Sequence, residues 1–211
     1  MKKHLFAIIL ILITCVAWAV SWPHLPETMA IHWSGEEANG FATKFNAMLL
    51  TLGIMIVSYG LLIVIPKVDP RKTNYDKFSK SFTMISYSIL FVLFLVNILV
   101  LATALGYKIP MNSAPNIIVG ILFLVIGNYL PQCKPNFFIG IRNAWTLSNE
   151  EVWRKTHRFS GKVFVIVGLM MIISIFAPAA LKSFLMLGII IGAVALTMLY
   201  SYFVYKKEMG I

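Results

Sequence analysis

Charge is scarce in this chain of 211 residues. Charged side chains make up 12% against 59% hydrophobic ones, and the mean hydropathy is +0.84. A water-soluble domain carries about twice that charge fraction, so a soluble globular fold is excluded. Acids are scarcer still, 8 Asp and Glu against 18 Lys and Arg. No Lys/Arg stripe interleaved with aromatics is long enough to follow a phosphate backbone, which argues against direct nucleic-acid binding. Only two cysteines occur, Cys15 inside the first apolar run and Cys133 beside a basic loop, without a C-x-x-C or a Cys/His zinc spacing. A disulfide framework and a zinc centre both lack their residues. Also missing are G-x-S-x-G, a P-loop, H-E-x-x-H and paired acids within an apolar segment. The sequence points to binding or sensing without a cofactor, not to catalysis.

What the chain has is long apolar runs. Six stretches reach or approach the roughly 20 residues that a spanning helix needs: 5–21, 45–65, 82–105, 116–130, 163–178 and 184–205. The first follows Lys2 and Lys3 and contains Ala17-Trp18-Ala19, which mimics a signal-peptidase site. Because the apolar run continues through Val20 and Trp22, we read it as an uncleaved span. The fourth is short; Pro115 suits a first helical turn. Either its helix runs past Leu130 despite Pro131, or the bilayer thins around it. With the amino terminus inside, 15 of the 18 cations lie on the inner side, and only Lys44, Lys108 and Lys182 lie outside. That asymmetry is the positive-inside pattern, and it implies cytoplasmic termini. The expected fold is an all-α integral membrane protein. It is a six-helix bundle with a small structured outer loop and an interfacial inner helix. One membrane domain comprises a first helical pair over 1–66 and a four-helix region over 67–211.

No Asp, Glu, Lys, Arg or His falls near the midpoint of a span, which weighs against a proton-coupled transporter. Ser86, Asn97, Ser174 and Thr197 read as helix-to-helix hydrogen-bonding groups, and Gly188 with Gly192 as a close-packing G-x-x-x-G pair.

Two loops carry the remaining information. The outer loop, 22–44, reads WPHLPETMAIHWSGEEANGFATK. Met29, Ile31 and Trp33 alternate with Ala30 and His32 as in a short strand, and Gly35 and Asn39-Gly40 mark turns, the latter the stronger hairpin signal. Three acids against one base make it a slightly acidic lid, with His32, Trp33, Glu36 and Glu37 as candidates for recognising an external ligand. The competing reading is a plain cap whose tryptophans sit in the interfacial aromatic belt. His24, Glu27 and His32 match no metal motif. The inner loop, 131–162, reads PQCKPNFFIGIRNAWTLSNEEVWRKTHRFSGK. Ser148 and Glu151 have capping-box spacing, so a helix should begin near Asn149. That helix is expected to lie at the inner interface and to turn into the fifth span near Gly161. Glu150–Arg154 and Glu151–Lys155 are favourable i,i+4 pairs, and Trp153, His157 and Gly161 share one face. Arg142, set among Phe137, Phe138, Ile139 and Ile141, needs a lipid phosphate, a carboxylate or helix carbonyls as partner.

Taken together, Gly127-Asn128-Tyr129, Asn136, Ile139-Gly140-Ile141-Arg142, Trp145-Thr146-Leu147, Val152-Trp153, His157-Arg158 and Gly161-Lys162 resemble the signature of the SdpI immunity-protein family. Leu25-Pro26-Glu27, Ile31-His32-Trp33 and Asn39-Gly40 resemble the small amino-terminal module that often accompanies it. The resemblance implies a bacterial plasma-membrane protein that protects against a secreted, membrane-active peptide toxin. It also implies a signalling role, in which an ArsR-type repressor is held at the membrane. On that likeness, toxin recognition falls to the outer loop. Asn136, Arg142, Trp145, Trp153 and His157 become candidates for docking the cytosolic partner. The alternative reading is a small transporter or exporter of peptide or lipid.

Overall fold

The computed structural model describes residues 2–210. Helix α1 (Lys2–Ser21) leads through a 3₁₀ turn into a hairpin of β1 (Thr28–Ser34) and β2 (Glu37–Thr43). Then follow α2 (Lys44–Val68), the one-turn α3 (Asn74–Lys77), α4 (Ser79–Ala104) and α5 (Ala114–Tyr129). The short α6 (Ala144–Ser148), α7 (Glu150–Ile173) and α8 (Ala179–Met209) complete the chain. Among the described residues six helices are long and apolar enough to cross a membrane: His4–His24, Lys44–Val68, Ser79–Ala104, Ala114–Gln132, Glu150–Phe176 and Ala179–Met209. Leu12, Val16, Val57, Leu61, Ile173 and Phe203 are all exposed on them. So much exposed aliphatic and aromatic surface is stable only against hydrocarbon, and the chain is a multi-pass membrane protein. The short fourth span is completed by a 3₁₀ turn, Leu130–Gln132, that carries the chain past Pro131.

Helix α7 departs from expectation. It runs from Glu150 to Ile173 without a break, so the amphipathic inner segment is the first part of the fifth span and not a separate surface helix. Its N-cap is Asn149, whose side chain accepts from the N–H groups of Glu151 (2.8 Å) and Val152 (3.1 Å). Ser148 ends α6 instead of capping α7. Glu151, not Glu150, pairs with Arg154 (2.5 Å), and Lys155 reaches both Glu151 (3.4 Å) and Glu208 (2.7 Å).

The closest helix approach is also displaced from the expected glycines. A Cβ at Gly188 or Gly192 would meet nothing within 4 Å. By contrast, a Cβ on Gly127 would lie 2.7 Å from the Gly161 carbonyl oxygen, and one on Gly168 would lie 2.6 Å from that of Gly120. Two glycine pairs, each spaced seven residues along antiparallel α5 and α7, therefore bring the two backbones into contact. Of the polar residues in the spans, Asn97 and Ser174 bond between helices as expected: Trp18 Nε1 donates to Asn97 Oδ1 at 2.9 Å, and Asn116 Nδ2 to Ser174 Oγ at 2.8 Å. Ser86 and Thr197 instead donate within their own helices, to the Phe82 carbonyl at 2.7 Å and the Val194 carbonyl at 3.0 Å.

Candidate functional site

On the basic face, helix α2 ends at Asp69, whose N–H donates to the Ile65 carbonyl. Pro70 disfavours helical geometry for the residue before it and turns the chain. Asp69 is only 1% exposed. Its Oδ1 accepts from the Arg71 N–H at 2.7 Å, and its Oδ2 from the Tyr75 hydroxyl at 3.0 Å and the Phe137 N–H at 2.9 Å. The last bond fastens the long inner loop to the end of α2. Beside it lies Asn136, fully buried. Its Oδ1 accepts from the N–H groups of Phe138 (2.9 Å) and Ile139 (2.6 Å), and its Nδ2 donates to the carbonyls of Lys134 and Ile139, both at 2.9 Å. Burial and the neighbouring Asp69 carboxylate raise the Tyr75 hydroxyl well above the usual tyrosine range, so it remains a donor. Burial likewise pushes the Cys133 thiol up to about 12.

The second support of the loop comes from α7. His157 Nδ1 lies 2.9 Å from the Trp153 carbonyl, while Nε2 accepts from the Ile141 N–H at 3.1 Å. A carbonyl only accepts, so this pairing assigns the proton to Nδ1. Gly140 abuts the Nε2 edge of the ring with φ +116°, and a Cβ there would sit 2.2 Å from Nε2. Glycine is required on both counts. Trp153 stacks on His157 with centroids 4.0 Å apart and donates through Nε1 to the Cys133 carbonyl at 2.9 Å. Asn143 caps α6 in a reciprocal box with Thr146 and reaches Ser201 of α8 at 2.7 Å.

Three of the five inner candidates, Asn136, Trp153 and His157, are thus interior. They shape the loop, and none of the three presents an exposed side chain. Arg142 is exposed, and its guanidinium donates to the Phe137 carbonyl, an acceptor within the loop. Trp145 is half-buried against Tyr202, 5.3 Å between centroids. Phe137 and Phe138 remain 40% and 38% exposed, and the Arg71 guanidinium carbon lies 5.4 Å from the centre of the Phe137 ring. The outcome is a rim of two aromatic rings and two guanidinium groups held over a buried polar kernel. Asp69, Tyr75 and Arg71 belong to no motif that sequence reveals; Asp69 stands alone between Val68 and Pro70.

On the opposite face, the hairpin turns at Gly35-Glu36, with Gly35 at φ +65° and Ser34 opposite Glu37. Of the two expected turns, Gly35 is the one used; Asn39-Gly40, the stronger signal, lies inside β2, where Gly40 faces His32 across an irregular register. Buried Met29 and Leu25 anchor the hairpin against Trp18, Ala47, Val100 and Leu101. Glu36 ties its tip to the loop before α5, accepting from the N–H groups of Met111 (3.1 Å) and Asn112 (3.3 Å). His32 Nδ1 lies 2.6 Å from Asn39 Oδ1; Glu37 is exposed and Trp33 half-buried. Under the hairpin lies a cavity of about 490 Å³ between α4, α5 and α8, with His32, Trp33 and Asn112 at its mouth and Val96, Val119 and Ile190 among its walls. Of the four outer candidates, the structure brings His32 and Trp33 to this cavity. Glu36 is engaged as a latch, and Glu37 stands apart. Among the described residues no group of three or more His, Cys, Asp or Glu is placed to hold a metal.

A model of the SdpI/YfhL protein family matches residues 132–201, and one of a domain of unknown function, DUF1648, matches residues 9–56. The chain is 26% identical over 210 residues to the "Immunity protein SdpI" of Bacillus subtilis (strain 168), covering 100% of this chain and 99% of the other. No solved structure matches it significantly. Residues 132–201, which contain Asn136 of the buried kernel and all of the α7 support, are the part that matches the SdpI/YfhL protein family, and the likeness to the immunity protein extends from there to both ends of the chain.

Proposed function

We propose that this chain is a membrane immunity protein that protects its cell from a secreted, membrane-active peptide. The observation that carries the reading is the full-length likeness to an immunity protein. In this reading the hairpin face is extracellular and the basic face, with both termini, cytoplasmic, as the distribution of Lys and Arg favours. The peptide is intercepted under the hairpin, where an amphipathic segment can place apolar side chains in the cavity and its polar side against His32, Trp33 and Glu37. The rim of Arg71, Phe137, Phe138 and Arg142, with Trp145 beside it, is the docking surface for a cytosolic transcriptional repressor of the ArsR type. A charge-bearing aromatic rim suits an acidic partner surface.

The test is growth of a peptide-sensitive strain expressing the full chain, with membrane insertion verified. Protection is expected, weakened by Trp33→Ala and retained by Arg142→Ala. Unchanged sensitivity with the inserted wild-type chain contradicts the reading.

A further inference from the structure

A cleft of about 300 Å³ opens on the basic face, where the start of α1, the end of α2 and the start of α4 converge. It belongs neither to the hairpin cavity nor to the rim. Its interior is apolar, lined by Leu62, Phe82 and Leu90. From Ser79 to Leu90 it follows α4 for 12 residues, about 16 Å at the helical rise. Its mouth is polar: His4, Tyr59, Lys67 and Asp76. His4 Nδ1 and the Tyr59 hydroxyl are 3.1 Å apart.

Two features of this mouth invite a ligand. Lys67 and Asp76 border the same cleft, yet among the described residues neither takes part in an ion pair. In addition, Pro66 lies inside α2 and has no N–H to give to the Leu62 carbonyl, so that oxygen lacks its helical donor at the wall of the cleft. At the edge of a bilayer an acceptor without its donor is costly.

We propose that this cleft binds one phospholipid whose headgroup carries both a phosphate and a primary ammonium, that is, a phosphatidylethanolamine. Lys67 and the Tyr59 hydroxyl meet the phosphate, Asp76 and the Leu62 carbonyl accept from the ammonium, and an acyl chain lies along α4. Phosphatidylcholine carries the same charges but no N–H to donate. Phosphatidylglycerol lacks the cation. The chemistry at the mouth therefore discriminates among the three.

The experiment is native mass spectrometry of the delipidated full chain in detergent, titrated with dioleoyl phosphatidylethanolamine, phosphatidylcholine or phosphatidylglycerol. The expected result is one tight phosphatidylethanolamine, preferred by about tenfold over the other two, the scale of one charge-assisted hydrogen bond. Asp76→Asn should erase the preference and Asp76→Glu retain it, while Lys67→Gln should weaken phosphatidylethanolamine and phosphatidylcholine alike. Both side chains are exposed, so the variants should melt with the wild type. Equal binding of phosphatidylethanolamine and phosphatidylcholine overturns the proposal. So does equal or tighter binding of phosphatidylglycerol, or a preference that survives Asp76→Asn.

Discussion

Replacing Asp69 by Asn changes one atom of the buried kernel and should be costly. The carboxylate receives three donors, two on Oδ2 and one on Oδ1. An amide can keep its oxygen on only one side, and its NH₂ then confronts a backbone N–H on the other. With the oxygen facing Tyr75 and Phe137, the Arg71 N–H is left without an acceptor. The reverse orientation orphans the Phe137 N–H, since Tyr75 can still turn to Asn136 Oδ1, 3.4 Å away. One buried unsatisfied donor costs about 1–3 kcal/mol, and loss of the charge adds about 1 kcal/mol more. For a chain of this length each kcal/mol lowers the melting temperature by about 2–4 °C. A drop of about 5–15 °C is expected on that scale. Scanning fluorimetry of the detergent-solubilised chain, following tryptophan emission, reads it directly, because Trp153 packs on the same loop. Melting within 1 °C of wild type, on a calibration of about 2–4 °C per kcal/mol, would show that the Asp69 bonds do not hold the loop.

Gly127→Leu should wedge α5 from α7 and cost about 1–3 kcal/mol or more, because the atoms in the way are backbone. Gly188→Leu, with nothing within 4 Å, should leave the melting temperature unchanged, and the two together check which glycines pack. Cys133 should resist maleimide labelling through pH 9, because its thiol ionises only near 12, and react about a hundredfold faster once denatured. The sign follows from the raised value: below about 12 the folded chain keeps the thiol protonated, so reactivity appears only as pH approaches that value or the fold opens.

The six spans were legible because hydrocarbon imposes one requirement, a run of apolar residues long enough to satisfy its own backbone. Periodicity also placed Trp153, His157 and Gly161 on one buried face of α7. The features that escaped depend on which distant segments meet. Asp69 and Phe137 are 68 positions apart, and nothing in Val68-Asp69-Pro70 announces a partner. The glycines that matter carry a visible spacing of seven, but G-x-x-x-G at 188 and 192 has the stronger local pattern. The hairpin turn went to Gly35-Glu36 although Asn39-Gly40 has the better turn chemistry. Docking of Glu36 on the α4–α5 loop fixes the tip there, and tertiary contact overrode local preference.

The proposed function requires the hairpin and the basic rim to lie on opposite sides of the membrane, with the hairpin outside. Single cysteines at Glu37 and Arg154, in a background where Cys15 and Cys133 are alanine, can be labelled with a membrane-impermeant maleimide on intact cells and again after permeabilisation. The account predicts that Glu37→Cys labels at once and Arg154→Cys only after permeabilisation. Labelling of Arg154→Cys on intact cells, with Glu37→Cys protected, would contradict it.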